Sequence, residues 1–436
     1  MEKMKNSGIE WIGDIPEGWE VKPIRILFDE ITEKNLYGKE KNALQYKMGT
    51  IVRKKNFDSD TDNYVADTVL NYTIVDPGTI VLNGLNLNYD FVSKRVAIVK
   101  ERGIITSAYI TFKSKSENTV SSDFANYLLK SYDAVKAFHN MGGGVRKILN
   151  FTELKHKYIP LPPPETQKRI ADFLDAKCVK IDGLKNDIQK QIETLEQYKK
   201  SVITEAVTKG INPNAKMKDS GIEWIGEIPE HWEIHPIYYY FEERKHKNSL
   251  CKEQNLLSLS YGNIIRKDIN ALGGLLPESF NTYNIIEKDD IVIRPTDLQN
   301  DKRSLRTGLC KEHGIITSAY ITLIPKKKVN SKYFHYLLHS YDIEKVFYNM
   351  GNGVRQGLNY SEFAKLLVIS PTKDEQKDIV AYLDKKCSSI DSIISTKKQQ
   401  LEKLEEYKKS LIFEYVTGKR EVSGGFSSKT SEKKGI

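Results

Sequence analysis

The sequence predicts an α+β protein: two related globular domains joined by two long antiparallel coiled-coil helices, arranged as a pseudo-two-fold internal repeat. Three observations predict it. Most segments occur twice, each copy sets short β-branched strands before helix-period stretches, and each copy ends in a long heptad helix. KNSGIEWIGDIPEGWE at Lys5 returns as KDSGIEWIGEIPEHWE at Lys218, and GIITSAYIT at Gly103 returns unchanged at Gly314. NMGGGVRKILNFTEL at Asn140 returns as NMGNGVRQGLNYSEF at Asn349, and LEQYKKS at Leu195 as LEEYKKS at Leu404. Two repeats are too few for a solenoid, so each needs its own core, and one chain then presents two related surfaces. A duplex, with two similar grooves along one rod, is a natural ligand for such a chain.

Within each copy the globular part comes first. IVRKK from Ile51 matches IIRKD from Ile264, and TIVLN from Thr79 matches DIVIR from Asp290, with the β-branched content of buried strands. SDFANYLLKSYDAVKAF and SKYFHYLLHSYDIEKVF then carry helical periodicity. Trp11, Trp19, Trp224 and Trp232 read as packing residues that help close each domain, in preference to base-stacking platforms.

The first long helix is expected over Glu165–Thr208, opening after Pro162, Pro163 and Pro164. Leu174, Ile181, Ile188, Leu195 and Val202 recur every seven residues, with Ile170, Cys178, Leu184, Ile192 and Tyr198 interleaved. The second, over Asp374–Thr417, repeats the seam with Leu383, Ile390, Leu404 and Leu411, plus Ile379, Cys387, Ile394, Leu401 and Tyr407, while Lys397 interrupts it. A helix of this length spans about 66 Å, whereas the connector Lys209–Met217 reaches at most about 31 Å. The chain cannot return to the start of the first helix, so the second must run back antiparallel if the seams bury each other.

Bulk composition bounds the function without fixing it. With 436 residues, 39% hydrophobic, the chain can bury ordinary cores, and a net charge of +9 favours a polyanion partner only mildly. Cys178, Cys251, Cys310 and Cys387 lie far apart with no CxxC pair, which indicates neither a disulfide framework nor a zinc knuckle and suits a reducing cytoplasm. No apolar run approaches a membrane span, and MEKMKNSGIEW lacks a signal-peptide core. No GxxxxGK[ST], HExxH, GxSxG or PD dipeptide is present, so no residue is assigned to catalysis or to a metal. The tail 421–436 is rich in Ser, Gly and Lys and is expected to be disordered.

The copies diverge in polar loops on a shared frame. NGLNLNYDFVSKR from Asn83 faces RPTDLQNDKRSLR from Arg294, which is how two copies would read two different things. Arg suits guanine O6 and N7, and Asn or Gln suits adenine N6 and N7. The candidate DNA-binding residues are therefore Asn83, Asn86, Asn88, Lys94 and Arg95 in the first copy, and Arg294, Thr296, Asp297, Gln299, Asn300, Lys302, Arg303 and Arg306 in the second. Arg53, Lys54, Arg266 and Lys267, which close the matched strands, join them, as do Arg146 and Arg355 beside the Gly-rich turns. Those turns have two open readings: amides beside an arginine suited to a phosphate, or tight turns needing positive φ.

GIEWIGDIPEGWE, GIITSAYIT, and GVRKILNFTELKHKYIPLPPPETQKRIADFLD leading into the first helix, all repeated in the second half, resemble the specificity subunit of type I restriction-modification systems across essentially the full chain. The resemblance implies target recognition domains over 1–160 and 209–370, each reading half of an interrupted, asymmetric site in double-stranded DNA, with spacer helices over 165–208 and 374–417 acting as a ruler. It implies assembly with two methylation subunits, which bring S-adenosylmethionine and methylate adenine, and with a restriction subunit that uses ATP and Mg for translocation and cleavage. The chain itself is then a non-catalytic recognition subunit without a cofactor. The S-adenosylmethionine motif and the N/D-P-P-Y/F motif are missing, and LPPPE is no substitute, lacking both the polar residue and the stacking aromatic. Two other readings stand beside this one: a self-contained DNA methyltransferase or nuclease, which the missing motifs oppose, and a rod-like adaptor binding proteins at both ends, which would not need loops that vary in hydrogen-bonding residues.

Overall fold

The computed structural model describes residues 3–54, 69–92, 94–144, 147–269, 277, 279–296, 298, 305–326, 329–350 and 357–422. The chain divides into two units, Met1–Ile188 with Gln399–Ile436, and Gln189–Lys398. This partition leaves the expected domains 1–160 and 209–370 whole, one in each unit, and divides the expected helices 165–208 and 374–417 between the units. Each unit takes one globular region and part of both long helices, because the helical seams are completed by packing inside the units. Of the expected tail, 423–436 lies outside the described residues, while Val422 packs on the first unit's core.

In the first unit a four-stranded antiparallel sheet runs in the order Phe28–Glu30, Ile110–Ser114, Ile80–Leu82, Val96–Ile98. Helix α1, Ser122–Ala134, packs against it and buries Phe124, Leu128, Leu129 and Tyr132. The Ser121 hydroxyl caps α1 by accepting the N–H of Phe124, satisfying one of the donors a helix start leaves open. The second unit repeats the sheet as Phe241–Glu243, Ile321–Pro325, Ile291–Ile293, Thr307–Leu309, with Asn330 capping the equivalent helix Ser331–Ile343. The Ile51 and Ile264 segments differ from expectation. Among the described residues Thr50–Arg53 pairs with Leu44–Lys47 and Asn263–Arg266 with Leu257–Ser260, so the two segments are the more exposed strands of hairpins whose other strands bury Leu44, Leu257 and Leu259.

Helix α2, Pro164–Lys209, and the final helix α4, Lys373–Val416, come within a residue of the expected bounds; the intervening Ser331–Ile343 helix is α3. In the first unit Lys185 pairs with Glu405 and Asp182 with Lys408. In the second Gln191 meets Lys397 and Lys199 meets Asp391. Numbers rise on α2 as they fall on α4, so the helices are antiparallel within each unit. Leu174, Ile181, Val202, Leu383, Ile390 and Leu411 are buried along the seam, and Ile188, Leu195 and Leu404 half-buried.

The interleaved seam series needs correction. Leu184, Tyr198 and Tyr407 are exposed, and Lys185, Lys199 and Lys408 face the other helix instead. The reason is the interval. Seven residues from Cys178 falls on Lys185, Ile192 and Lys199, and each lysine buries its stem while its amine meets a carboxylate on the opposite helix. The cysteines at the seam, Cys178 and Cys387, are buried thiols whose ionisation burial pushes up.

The tryptophans pack. Trp19 shares the first core with Ile12, Ile15, Leu411, Ile412 and Val416, joining the chain start to the end of α4 inside one unit. Trp232 does the same for the second unit with Val207 and Ile228, while Trp11 and Trp224 stand edge-on to Tyr132 and Tyr341.

Candidate nucleic-acid interface

The divergent loop of the first copy is a hairpin connection. It leaves the strand Ile80–Leu82 and returns as the antiparallel neighbour Val96–Ile98, with the Asn83 N–H donating to the Arg95 carbonyl at 2.9 Å to close its base. Leu87 is buried and anchors the loop from below, its N–H donating to the Lys147 carbonyl. Gly84 lies so close to the chain after the Gly-rich turn that a Cβ would sit 2.3 Å from the Leu149 carbonyl oxygen, and the Leu149 N–H donates to the Gly84 carbonyl. On the turn itself a Cβ at Gly142 would sit 2.8 Å from Leu87 Cδ1 and 3.1 Å from the Ile148 carbonyl carbon, so the close packing favours glycine there. The turn therefore buttresses the loop. Arg146 lies outside the described residues, as does Arg355.

Arg95 is where sequence and structure part. Its side chain is 0% exposed, and its guanidinium donates to the carbonyls of Asn83 (3.0 Å), Leu85 (2.8 Å) and Asp90 (2.6 Å), with the Asp90 carboxylate 3.6 Å away. Its N–H donates to the Asp133 carboxylate at the end of α1. Arg306 repeats the device: 0% exposed, it donates to the Arg294 and Thr296 carbonyls, and its N–H donates to Asp342 at the end of α3. A guanidinium with no surface cannot reach DNA while the loop is folded. Both residues are loop staples, which corrects their assignment as DNA contacts.

The other expected residues fall into three groups. Asn86 is exposed at the left-handed turn of the loop, Asn88 is half-buried, and Asn83 turns its side chain inward to accept the Leu85 N–H. Arg294 is half-buried and Thr296 exposed on the matching loop, while Asp297, Gln299, Asn300, Lys302 and Arg303 lie outside the described residues. Arg53 pairs with Glu101 at 3.0 Å, and Arg266 pairs with Glu312 in the same way, so this frame contact is common to both copies; Lys54 and Lys267 are exposed beside them.

A concentration of amines lies beside the first loop. Burial, then Lys408, Lys94 and Lys100, lower the Lys130 ammonium to about 8, although Cys178 opposes them. Lys94 is exposed and ion-paired to Glu405 at 2.9 Å. In the second unit burial lowers His335 and His339 to about 4, helped by Lys311 and Lys332 for the first and by His335, Lys199 and Lys200 for the second. Lys130, Lys408 and His339 were not singled out from sequence, since lysines on helices usually read as solvated faces. Tyr89, Phe91 and Val92, the exposed apolar tip of the first loop, were also missed. Their signal was legible: three apolar residues in a polar loop with no periodic partner.

Among the described residues no group of three or more His, Cys, Asp or Glu is placed to hold a metal ion, and no helix is long and apolar enough to cross a membrane. The chemistry on offer is hydrogen bonding and positive charge on two stapled loops.

Comparison with known proteins agrees in one direction. The family model for the type I restriction modification DNA specificity domain matches residues 16–194 and 279–404. The putative type I restriction enzyme MjaX specificity subunit of Methanocaldococcus jannaschii is 26% identical over 429 residues, covering 94% of this chain and 96% of that protein. The MjaVIII specificity subunit of the same organism is 27% identical over 364 residues, covering 78% and 80%. A chain solved in work on complex assembly and conformational transition of the type I R-M system shares the fold, with a TM-score of 0.68 at 12% identity over 93% of this chain and 99% of that one.

Proposed function

The chain belongs to the type I restriction-modification DNA specificity family, and we propose that it reads an interrupted, asymmetric site in double-stranded DNA, one half with each of its two stapled loops. The observation that carries this reading is the pairing of sameness and difference. The sheet, the capped helix and the buried arginine recur in both units, while the loop the arginine holds does not. A common mount with unlike loops is what two different half-sites require.

In this reading Asn86 and Asn88 of the first loop, and Arg294 and Thr296 of the second, address base edges, whereas Lys54, Lys94 and Lys267 address phosphates. Catalysis lies with partners. Two methylation subunits bring S-adenosylmethionine, a restriction subunit brings ATP and Mg, and this chain positions them without performing either reaction.

Exchanging Asn83–Arg95 for Arg294–Arg306 tests the division of labour. Each lost bidentate base contact costs about 1–3 kcal/mol, enough to change the recognised half-site. Methylome mapping of the exchange should show one half of the site altered and the other intact. A site unchanged, or changed in both halves, refutes the assignment.

A further inference from the structure

The tip of the first loop exposes three large side chains in a polar loop: Tyr89, Phe91 and Val92 are 71%, 55% and 83% exposed. Its backbone is nonetheless firmly built. The Asp90 carbonyl accepts from Arg95 and lies 3.1 Å from His139 Nε2, the Lys136 ammonium donates to the Phe91 carbonyl at 2.6 Å, and the Phe91 ring stacks on His139 with centroids 4.7 Å apart. Apolar side chains fixed on an ordered main chain lose little entropy on binding. Two residues beyond Val92, Lys94 is exposed, its ammonium 2.9 Å from Glu405.

The tip differs between copies. The positions of Phe91 and Val92 correspond in sequence to Lys302 and Arg303 of the second copy. A protein partner that engages both copies alike would use the surface they share, so a divergent tip beside lysines points to DNA. Resting on the DNA-reading function proposed above, we infer that Tyr89 and Val92 contact thymine 5-methyl groups in the major groove of the first half-site, while Lys94 and Lys136 hold the flanking phosphates. Apolar contact to the thymine methyl is one of the few sequence-reading interactions open to such side chains.

The test uses the full chain assembled with its methylation subunits, and duplexes carrying the site found by methylome sequencing. Each thymine of the first half-site is replaced in turn by deoxyuridine, which removes only the methyl group. At one or two positions binding should weaken about fourfold per methyl. In Tyr89→Ala/Val92→Ala, that sensitivity should vanish, and the unmodified site should bind at least about tenfold more weakly. An unchanged melting temperature checks that these exposed substitutions leave the fold intact. Indifference of the unaltered protein to every thymine methyl of the first half-site overturns the inference, as does a doubly substituted protein that binds as tightly as the original. A variant that keeps its melting temperature but no longer assembles with the methylation subunits makes the tip a protein surface, and also overturns it. If the unaltered complex prefers no site at all, the underlying DNA-reading function fails too, by a result no tip variant is needed to see.

Discussion

The ammonium of Lys94, on the first loop, lies 2.9 Å from the carboxylate of Glu405 on α4, whose other oxygen is held by Lys185 of α2. One carboxylate thus ties three segments of the first unit together. Burial alone would raise Glu405, but the hydrogen bonds and charges of Lys185 and Lys94 outweigh it and hold the group at about 2, against an ordinary 4.5. A depressed carboxyl adds stability that is complete above pH 4.5 and disappears as pH falls through 2. Glu405→Gln should therefore melt below the original protein at pH 6, with the gap closing between pH 4.5 and 2. Melting curves across that window are the check, and a gap independent of pH would refute the coupling.

Arg95→Ala should leave the Asn83, Leu85 and Asp90 carbonyls without their donor and the Asp90 carboxylate without its cation. The cost should be about 3 kcal/mol, since the lost bonds are charge-assisted and the site is buried. Arg95→Lys should recover little, because one ammonium cannot span carbonyls that a planar fork reaches. Methylation should lose discrimination at the first half-site alone, and Arg306→Ala should do the same at the second. Denaturant titration and methylome sequencing together decide, and loss at both half-sites from either variant would count against separate staples.

His335, at the α3–Thr307 junction, is held at about 4, chiefly by burial, while its hydrogen bond to the Thr307 backbone opposes the shift and Lys311 and Lys332 add to it. The folded value lies below the unfolded one, so this contribution is present above pH 6.5 and is lost as pH falls from 6.5 towards 4. His335→Asn introduces the residue found at the matching position of the first unit, Asn126. It should reduce the fall in melting temperature between pH 7 and pH 5 without abolishing it, since His339 remains. An undiminished fall would exclude His335 as its source.

Lys397 stands in the seam where α2 has Ile188, and its amine donates to Gln191. Lys397→Ile should stabilise the second unit by about 1–2 kcal/mol, the usual gain when a polar seam residue becomes apolar. A raised denaturation midpoint with unchanged slope is expected. A drop would mean that the amine supports the seam more than its stem interrupts it.

The long helices were legible because a strict heptad over many turns admits few alternatives. One of its two seam series was set a residue off, since Leu184, Tyr198 and Tyr407 outweighed the interval that selects Lys185, Lys199 and Lys408. A lysine belongs in such a seam only when a carboxylate waits opposite, and that depends on how the helices register. The divergent loops were legible as unlike insertions on a shared frame, but Arg95 and Arg306 were not legible as staples. Nothing local in sequence distinguishes an arginine that faces solvent from one that meets carbonyls converging from both limbs of a hairpin. The Gly-rich turn near Gly142 admits two readings from sequence, and close packing against Leu87 and the Ile148 backbone supplies a structural reason for its glycine.

The staples grip main-chain oxygens, and carbonyls are the part of a residue that mutation leaves alone. A loop fastened by its backbone can exchange its side chains with little effect on its anchorage. Two lineages, or the two halves of one gene, could then drift to new target sequences while inheriting an unaltered mount. The buried arginine makes novelty at the tip cheap in stability, and recombination between copies would yield working readers more often than a loop held by its own side chains would allow.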